Sequence, residues 1–258
     1  MSNLEIIKEI RNITGAGIVS VKKALVEAQN NKEKAIEILR KTGSKIAAKK
    51  LERSTKEGVI SYAVEGNKIA VVALNCETDF VARNEDFKIA VKNLAQELLQ
   101  KNEKEFKIFA DNKIKNELIV KIGENLQLGD FTILEGQTIG IYLHSNNKLA
   151  SVVILEGGNK ELAKDIAMHA TALGPQYLAS EDIPSEVIKK EKEIYREQLK
   201  KEGKGDDIIE KILDGKVIKF YKEVCLLKQN FVKDEQKTIA ELLAEQKAQI
   251  KEYKYFSL

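Results

Sequence analysis

The feature that most constrains this fold is an apolar segment that occurs twice. Asn67-Lys-Ile-Ala-Val-Val-Ala-Leu74 has a counterpart in Asn147-Lys-Leu-Ala-Ser-Val-Val-Ile154, and each follows an apolar strand carrying a tyrosine, Tyr62 or Tyr142. Val59–Val64, the turn Glu65-Gly66-Asn67 and Lys68–Leu74 read as a β-hairpin. Each copy runs on into an acidic, helix-periodic segment, Glu85-Asp-Phe-Lys-Ile-Ala90 in one and Lys160-Glu-Leu-Ala-Lys-Asp165 in the other. A hairpin cannot bury its apolar face alone, so each copy is expected to lay its own helix across its sheet. The fold class is therefore α+β, with two related antiparallel-sheet/helix subdomains over residues 58–136 and 137–184. Within the first, Phe87, Val91, Leu94 and Leu98 form a helical stripe. A further helix carries Ile114, Leu118, Ile119, Ile122 and Leu126, and short strands cover Asp130–Glu135 and Thr138–Leu143.

The flanking segments are helical. Over residues 1–43, Leu4, Ile7, Ile10 and Ile13 recur at helical spacing until Thr14-Gly-Ala-Gly17 breaks the pattern. Ile18, Val21, Leu25 and Ala28 form a second stripe, and Ala35, Ile36 and Leu39 a third, with Gly43 placed as a C-terminal stop. Residues 44–57 read as a lysine-rich linker in which Lys45, Lys49, Lys50 and Arg53 are open to nucleic acid, a solvated face being the favoured reading. Over 185–224, two charge-rich stripes separated by Gly203-Lys-Gly205 predict an antiparallel helical hairpin. It is either a self-association or partner surface, or folded flat on the core. Residues 225–258 return to the core and form a C-terminal helical module, with a helix over Thr238–Ile250 and an aromatic tail, Tyr253-Lys-Tyr-Phe256.

Composition removes several function classes. Lys+Arg 43 against Asp+Glu 40 leaves a net charge of +3, which argues against a module dominated by one basic, nucleic-acid-binding face. The two cysteines, Cys76 and Cys225, offer neither a disulfide framework nor metal-ligand spacing and suit a reducing cytosol. The N-terminal residues lack the apolar block of a secretory signal, and no run approaches the roughly 18 apolar residues that span a bilayer. A soluble, cytoplasmic protein is expected. His144 and His169 lie in unrelated contexts, and no nucleophile elbow, zinc motif or phosphate loop occurs. No metal and no cofactor is expected, and covalent catalysis has only the lone thiol of Cys76, more readily a small core residue.

Two places draw attention. Asn75-Cys-Glu-Thr-Asp-Phe-Val81 joins the buried strand to the following helix. Extended backwards, that helix's stripe includes Phe80, so periodicity favours burying it. Met168 lies on roughly the opposite face from Leu162, Ile166, Ala170 and Leu173, so it is either a contact residue or covered by a neighbouring element.

Here the sequence resembles a known family. Thr14-Gly-Ala-Gly17 with Lys22-Lys-Ala-Leu25, Ala35-Ile36 and Leu39-Arg40, then Thr78-Asp-Phe-Val-Ala82, look like translation elongation factor Ts. Lys121-Ile-Gly-Glu-Asn125, Ile166-Ala-Met-His169, and Phe220-Tyr-Lys-Glu-Val-Cys225 with Phe231-Val232 and Lys237-Thr238 occur in the family's order. The resemblance implies an N-terminal ubiquitin-associated-like domain and a guanine-nucleotide exchange factor for the GTPase elongation factor Tu, performing no covalent chemistry. It implies that Thr78, Asp79, Phe80 and Val81 enter beside the partner's magnesium and nucleotide, with Phe80 as a wedge. It also implies that Arg11, Ile18, Val19, Met168 and His169 face the partner. Ile18-Val19 stand where the family often has Met-Met, and Val21 where it has Cys, exchanges that keep apolar volume. An RNA- or ribosome-binding module built on the linker lysines is the competing reading.

Overall fold

The computed structural model describes residues 3–50 and 52–258, apart from the side chains of residues 3 and 44–49. The chain divides into two compact units. The first holds the residues up to Leu134, with Ser145–Lys148 and Phe256–Leu258; the second holds Glu135–His144 and Leu149–Tyr255.

The first unit opens with α1 (Asn3–Thr14), α2 (Ile18–Glu27) and α3 (Lys32–Lys50). Their common core is Ile7, Ile10, Ala16, Val21, Ala24, Leu25, Ala28, Ala35 and Leu39. Leu4, Ile13 and Ile18, predicted to share this core, are exposed instead. Leu4 and Ile13 lie at the two ends of the α1 stripe and Ile18 at the first position of α2, beyond the reach of so small a centre. Gly43 does not end α3: the helix runs through it to Lys50. A Cβ on Gly43 would meet Val120 Cγ2, so close packing accounts for a glycine that costs a helix interior roughly 0.5–1 kcal/mol relative to alanine.

β1 (Glu57–Glu65) and β2 (Lys68–Cys76) form the predicted antiparallel hairpin, with Val59 opposite Leu74 and Glu65 opposite Lys68. α4 (Asp79–Arg83), α5 (Glu85–Leu99) and α6 (Glu103–Lys113) follow. A π-helical turn at Ile114–Leu118 and α7 (Ile119–Ile122) lead to β3 (Gln127–Glu135), which lies beside β2. β2 is buried along nearly its whole length, as a continuous apolar run requires of a central strand. Its Ala70, Val72 and Leu74 meet Phe87, Val91, Leu94 and Leu98 of α5, the predicted stripe. Phe106 of α6 meets Phe131 edge-on at 5.1 Å. Leu126, predicted on the last helix of this stretch, falls beyond α7, which stops at Gly123 in the left-handed conformation (φ 88°).

The second unit repeats the plan. β4 (Thr138–Leu143) and β5 (Leu149–Glu156) pair antiparallel, and α8 (Lys160–Leu173) covers them. Leu162, Ala163, Ile166 and Ala170 meet Val153 and Leu155 in its core. α9 (Ser185–Lys201) and α10 (Asp206–Val224) form the helical hairpin, closed on a small core of Leu199, Ile209 and Leu213. β6 (Asn230–Phe231) and β7 (Asp234–Thr238) make a two-stranded ribbon ahead of α11 (Ile239–Glu245). The predicted helix to Ile250 is cut short, because Lys247 turns the chain at φ 49° and Gln249–Ser257 becomes β8, the third strand beside β5. Each sheet therefore has a hairpin, one helix on it, and a later strand beside the hairpin's second strand. Among the described residues no helix is long and apolar enough to cross a membrane.

Candidate functional site

The Thr78–Val81 segment is the first turn of α4, a helix of five residues. So short a helix has no stability of its own, since isolated helices below about 12–15 residues are marginal in water. Its only buried residue is Ala82. Polar contacts around the junction fix the rest. Glu124 Oε2 accepts from the backbone N–H groups of Glu77 and Thr78, both at 3.0 Å, and its Oε1 accepts from Thr78 Oγ1 at 2.6 Å. The same hydroxyl oxygen accepts from Val81 N at 3.4 Å and so caps α4. In return Glu77 Oε1 accepts from Asn125 N at 2.6 Å, and Asn125 Nδ2 donates to Arg53 O at 2.7 Å.

On this support Phe80 is 81% exposed, against the burial that periodicity favours. The stripe is interrupted: Asn84, in an extended conformation, ends α4 and caps α5 through Phe87 N, so Phe80 is out of phase with Phe87. Asp79 is partly exposed and pairs with Arg83 at 3.0 Å. Val81 is half-buried and packs against the first core.

Arg11, Ile18 and Val19 are all exposed, at the end of α1 and the start of α2. The turn between these helices meets Lys121. A Cβ on Gly15, which has φ +66°, would fall 2.6 Å from Lys121 Cγ. Lys121 also pairs with Asp86 of α5 at 3.4 Å. Residues 121–125 thus touch both the α1–α2 turn and the Thr78 junction. Neither Glu124 nor Lys121 stood out by chemistry, although the Lys121–Asn125 motif marks the place.

In the second unit, Met168 is half-buried and His169 has no exposed surface. Val232 N–H donates to His169 Nδ1 at 3.2 Å, so the ring proton resides on Nε2 and is given to Gln229 Oε1, 3.1 Å away. Gln229 Nε2 donates in turn to Glu223 O at 2.8 Å. Burial lowers the His169 pKa and keeps the ring neutral, only partly countered by Gln229. Met168 keeps part of its side chain at the surface, while His169 ties α8 to the β6–β7 ribbon. Leu173, predicted on the buried stripe of α8, is instead half exposed at its last position.

Cys76 is buried, and desolvation together with Glu124 and Glu57 pushes its thiol up to about 12, which leaves no thiolate at neutral pH. Of the linker cations, Lys50 donates to Gly123 O and Arg53 lies 3.6 Å from Glu77, so both help to hold the junction. The side chains of Lys45 and Lys49 lie outside the described residues. Among the described residues no group of histidine, cysteine and carboxylate side chains could hold a metal ion.

A family profile described as elongation factor TS matches residues 77–258, from the Glu77 junction onward. The chain belongs to the elongation factor Ts family. Elongation factor Ts of Deinococcus radiodurans is 44% identical over 94% of this chain and 95% of its own length. That of Deinococcus deserti is 40% identical over 99% of both chains, and that of Hahella chejuensis 42% over 95% of this chain and 87% of its own. Membership of the elongation factor Ts family assigns the chain to translation elongation in protein biosynthesis.

Proposed function

We propose that this member of the family is a guanine-nucleotide exchange factor that binds elongation factor Tu and speeds GDP release without covalent chemistry. Thr78–Val81 enters beside the partner's magnesium and nucleotide, Phe80 acting as the wedge and Asp79 holding the rearranged contact. Arg11, Ile18, Val19 and Met168 dock the partner, and His169 shapes the surface around Met168. The observation that carries this reading is the 81% exposure of Phe80 on a turn pinned to the first unit. A large apolar side chain held out in water gains nothing for the free protein. The energetics are reciprocal: a surface that binds the nucleotide-free GTPase more tightly than the GDP form weakens GDP binding by the same factor. Displacing Mg²⁺ is effective because that ion neutralises phosphate charge.

Stopped-flow release of a fluorescent GDP analogue from elongation factor Tu tests it. Phe80→Ala removes most of the acceleration while the fold is kept; full acceleration by the variant sinks the wedge. The α9–α10 hairpin is a surface for self-association within the same proposal, supported by Ile194, Ile208 and Ile218 standing 40%, 53% and 57% exposed. Sedimentation showing a monomer at all concentrations removes that part.

A further inference from the structure

The turn that presents Phe80 needs an external anchor. α4 is too short to hold itself, Phe80 makes no buried contact, and Ala82 contributes one methyl group to the core. Apart from Val81, which rests half-buried on the first core, the anchor is the carboxylate of Glu124, whose two oxygens take three donors from two consecutive residues: Glu77 N–H, Thr78 N–H and the Thr78 hydroxyl. Because the Thr78 hydroxyl gives its proton to Glu124, its oxygen lone pairs face the Val81 N–H and cap the helix. Glu124 is brought there by Gly123, whose φ of +88° ends α7 and turns the chain. The exchange is mutual, since Glu77 takes the N–H of Asn125.

We propose that Glu124 is a positioning residue for exchange: it holds the start of α4 in register, so that Phe80 meets the partner already in its working orientation. This rests on the reading of Phe80 as the inserted side chain. Glu124 does not touch the partner in this scheme. Its loss leaves the docking residues Arg11, Ile18 and Val19 in place, and the wedge arrives unoriented. The effect falls on the maximal rate of GDP release rather than on the concentration of factor that half-saturates it.

The test uses the full chain with Glu124→Ala, Glu124→Gln, Phe80→Ala and the Glu124→Ala/Phe80→Ala pair. In the free protein, amide hydrogen exchange at Glu77 and Thr78 rises about tenfold or more in Glu124→Ala, while amides of β2 keep their protection. Glu124→Gln, which retains a carbonyl oxygen for the two amides, restores it. In GDP release, Glu124→Ala lowers the maximal rate about tenfold with the half-saturating concentration unchanged, and the double variant is no worse than Phe80→Ala alone. Amides at Glu77 and Thr78 that exchange as fast in the wild type as in Glu124→Ala overturn the inference. So does a double variant whose two losses multiply. Normal GDP release by Phe80→Ala instead overturns the reading beneath it and leaves Glu124 with no wedge to position.

Discussion

Phe80 and Phe87 stand on successive helices, and one is the most exposed large apolar side chain among the described residues while the other is wholly buried. Asn84 separates them. Its extended backbone ends α4 at Arg83, and its side chain caps α5 at Phe87 N. A single residue outside the helical region frees the phase of α4 from that of α5. The same short stretch can therefore give one phenylalanine to the core and hold the other in solvent.

The two phenylalanines separate stability from exchange. Phe87→Ala removes a ring packed against β2 and is expected to cost about 3–5 kcal/mol, read as a lower urea midpoint. Phe80→Ala is expected to stay within about 0.5 kcal/mol of wild type, since it deletes no buried contact. A Phe80→Ala variant as unstable as Phe87→Ala contradicts the exposed placement.

Gly43→Ala pits helix propensity against packing. Alanine is worth roughly 0.5–1 kcal/mol over glycine in a helix interior. The new methyl group would overlap Val120, whose branched side chain is stiff at χ1. Overpacking costs about 1–3 kcal/mol, so net destabilisation is expected by urea titration. A stabilised variant places Val120 elsewhere.

Much of this fold is legible in the sequence where a pattern has one cause. The β1–β2 hairpin, the Phe87–Leu98 stripe and the helical hairpin follow from periodicity and turn residues. Two elements depart from their local pattern for a different reason. Gly43 and the end of α11 were decided by Val120 and by the neighbouring strand β5, contacts distant in sequence that no local pattern encodes. At the site, the junction is legible but its support is not. Phe80 continues the α5 stripe in sequence, and the break at Asn84 is carried by a residue as common in turns as in caps. Glu124 is one carboxylate among many; only the fold brings it to Thr78.

His169 predicts an acid sensitivity of the second unit. Its pKa is lowered in the folded state, so the unfolded chain binds the proton more readily. Stability from this group is complete above its ordinary value of about 6.5 and is lost as pH falls through the folded value. Protonation would add a second ring N–H against the Val232 N–H. Urea midpoints measured from pH 7.5 down to 5.5 are expected to fall, with a slope from this one group of at most about 1.4 kcal/mol per pH unit. His169→Gln, which cannot titrate, flattens that fall. An equally steep fall in the variant assigns it to other groups.

Cys76 gives the opposite sign. With its thiol held up to about 12, the folded chain keeps a proton that the unfolded chain gives up near 8.5. Stability from this group is full below that value and is lost as pH rises from about 8.5 towards 12. The accompanying chemistry is direct: at pH 8 a maleimide labels Cys76 only as fast as the first unit opens. Labelling at the rate of a free thiol in the folded protein contradicts its burial.

The hairpin closes on a small core of its own. α9 and α10 meet through Leu199, Ile209 and Leu213, with Tyr195 and Ile212 at the margin. At its flank, Arg196 donates to Glu210 Oε1 from both Nη2 at 2.7 Å and Nε at 3.2 Å. The ion pair is exposed and worth at most about 1 kcal/mol, whereas truncating a buried leucine costs about 2–5 kcal/mol. Leu213→Ala is therefore expected to release amide protection across 185–224 well before the rest of the chain unfolds. Arg196→Ala is expected to change it little. If Leu213→Ala instead lowers protection uniformly over the second unit, the hairpin and that unit unfold as one, and Leu199, Ile209 and Leu213 are not a separate core.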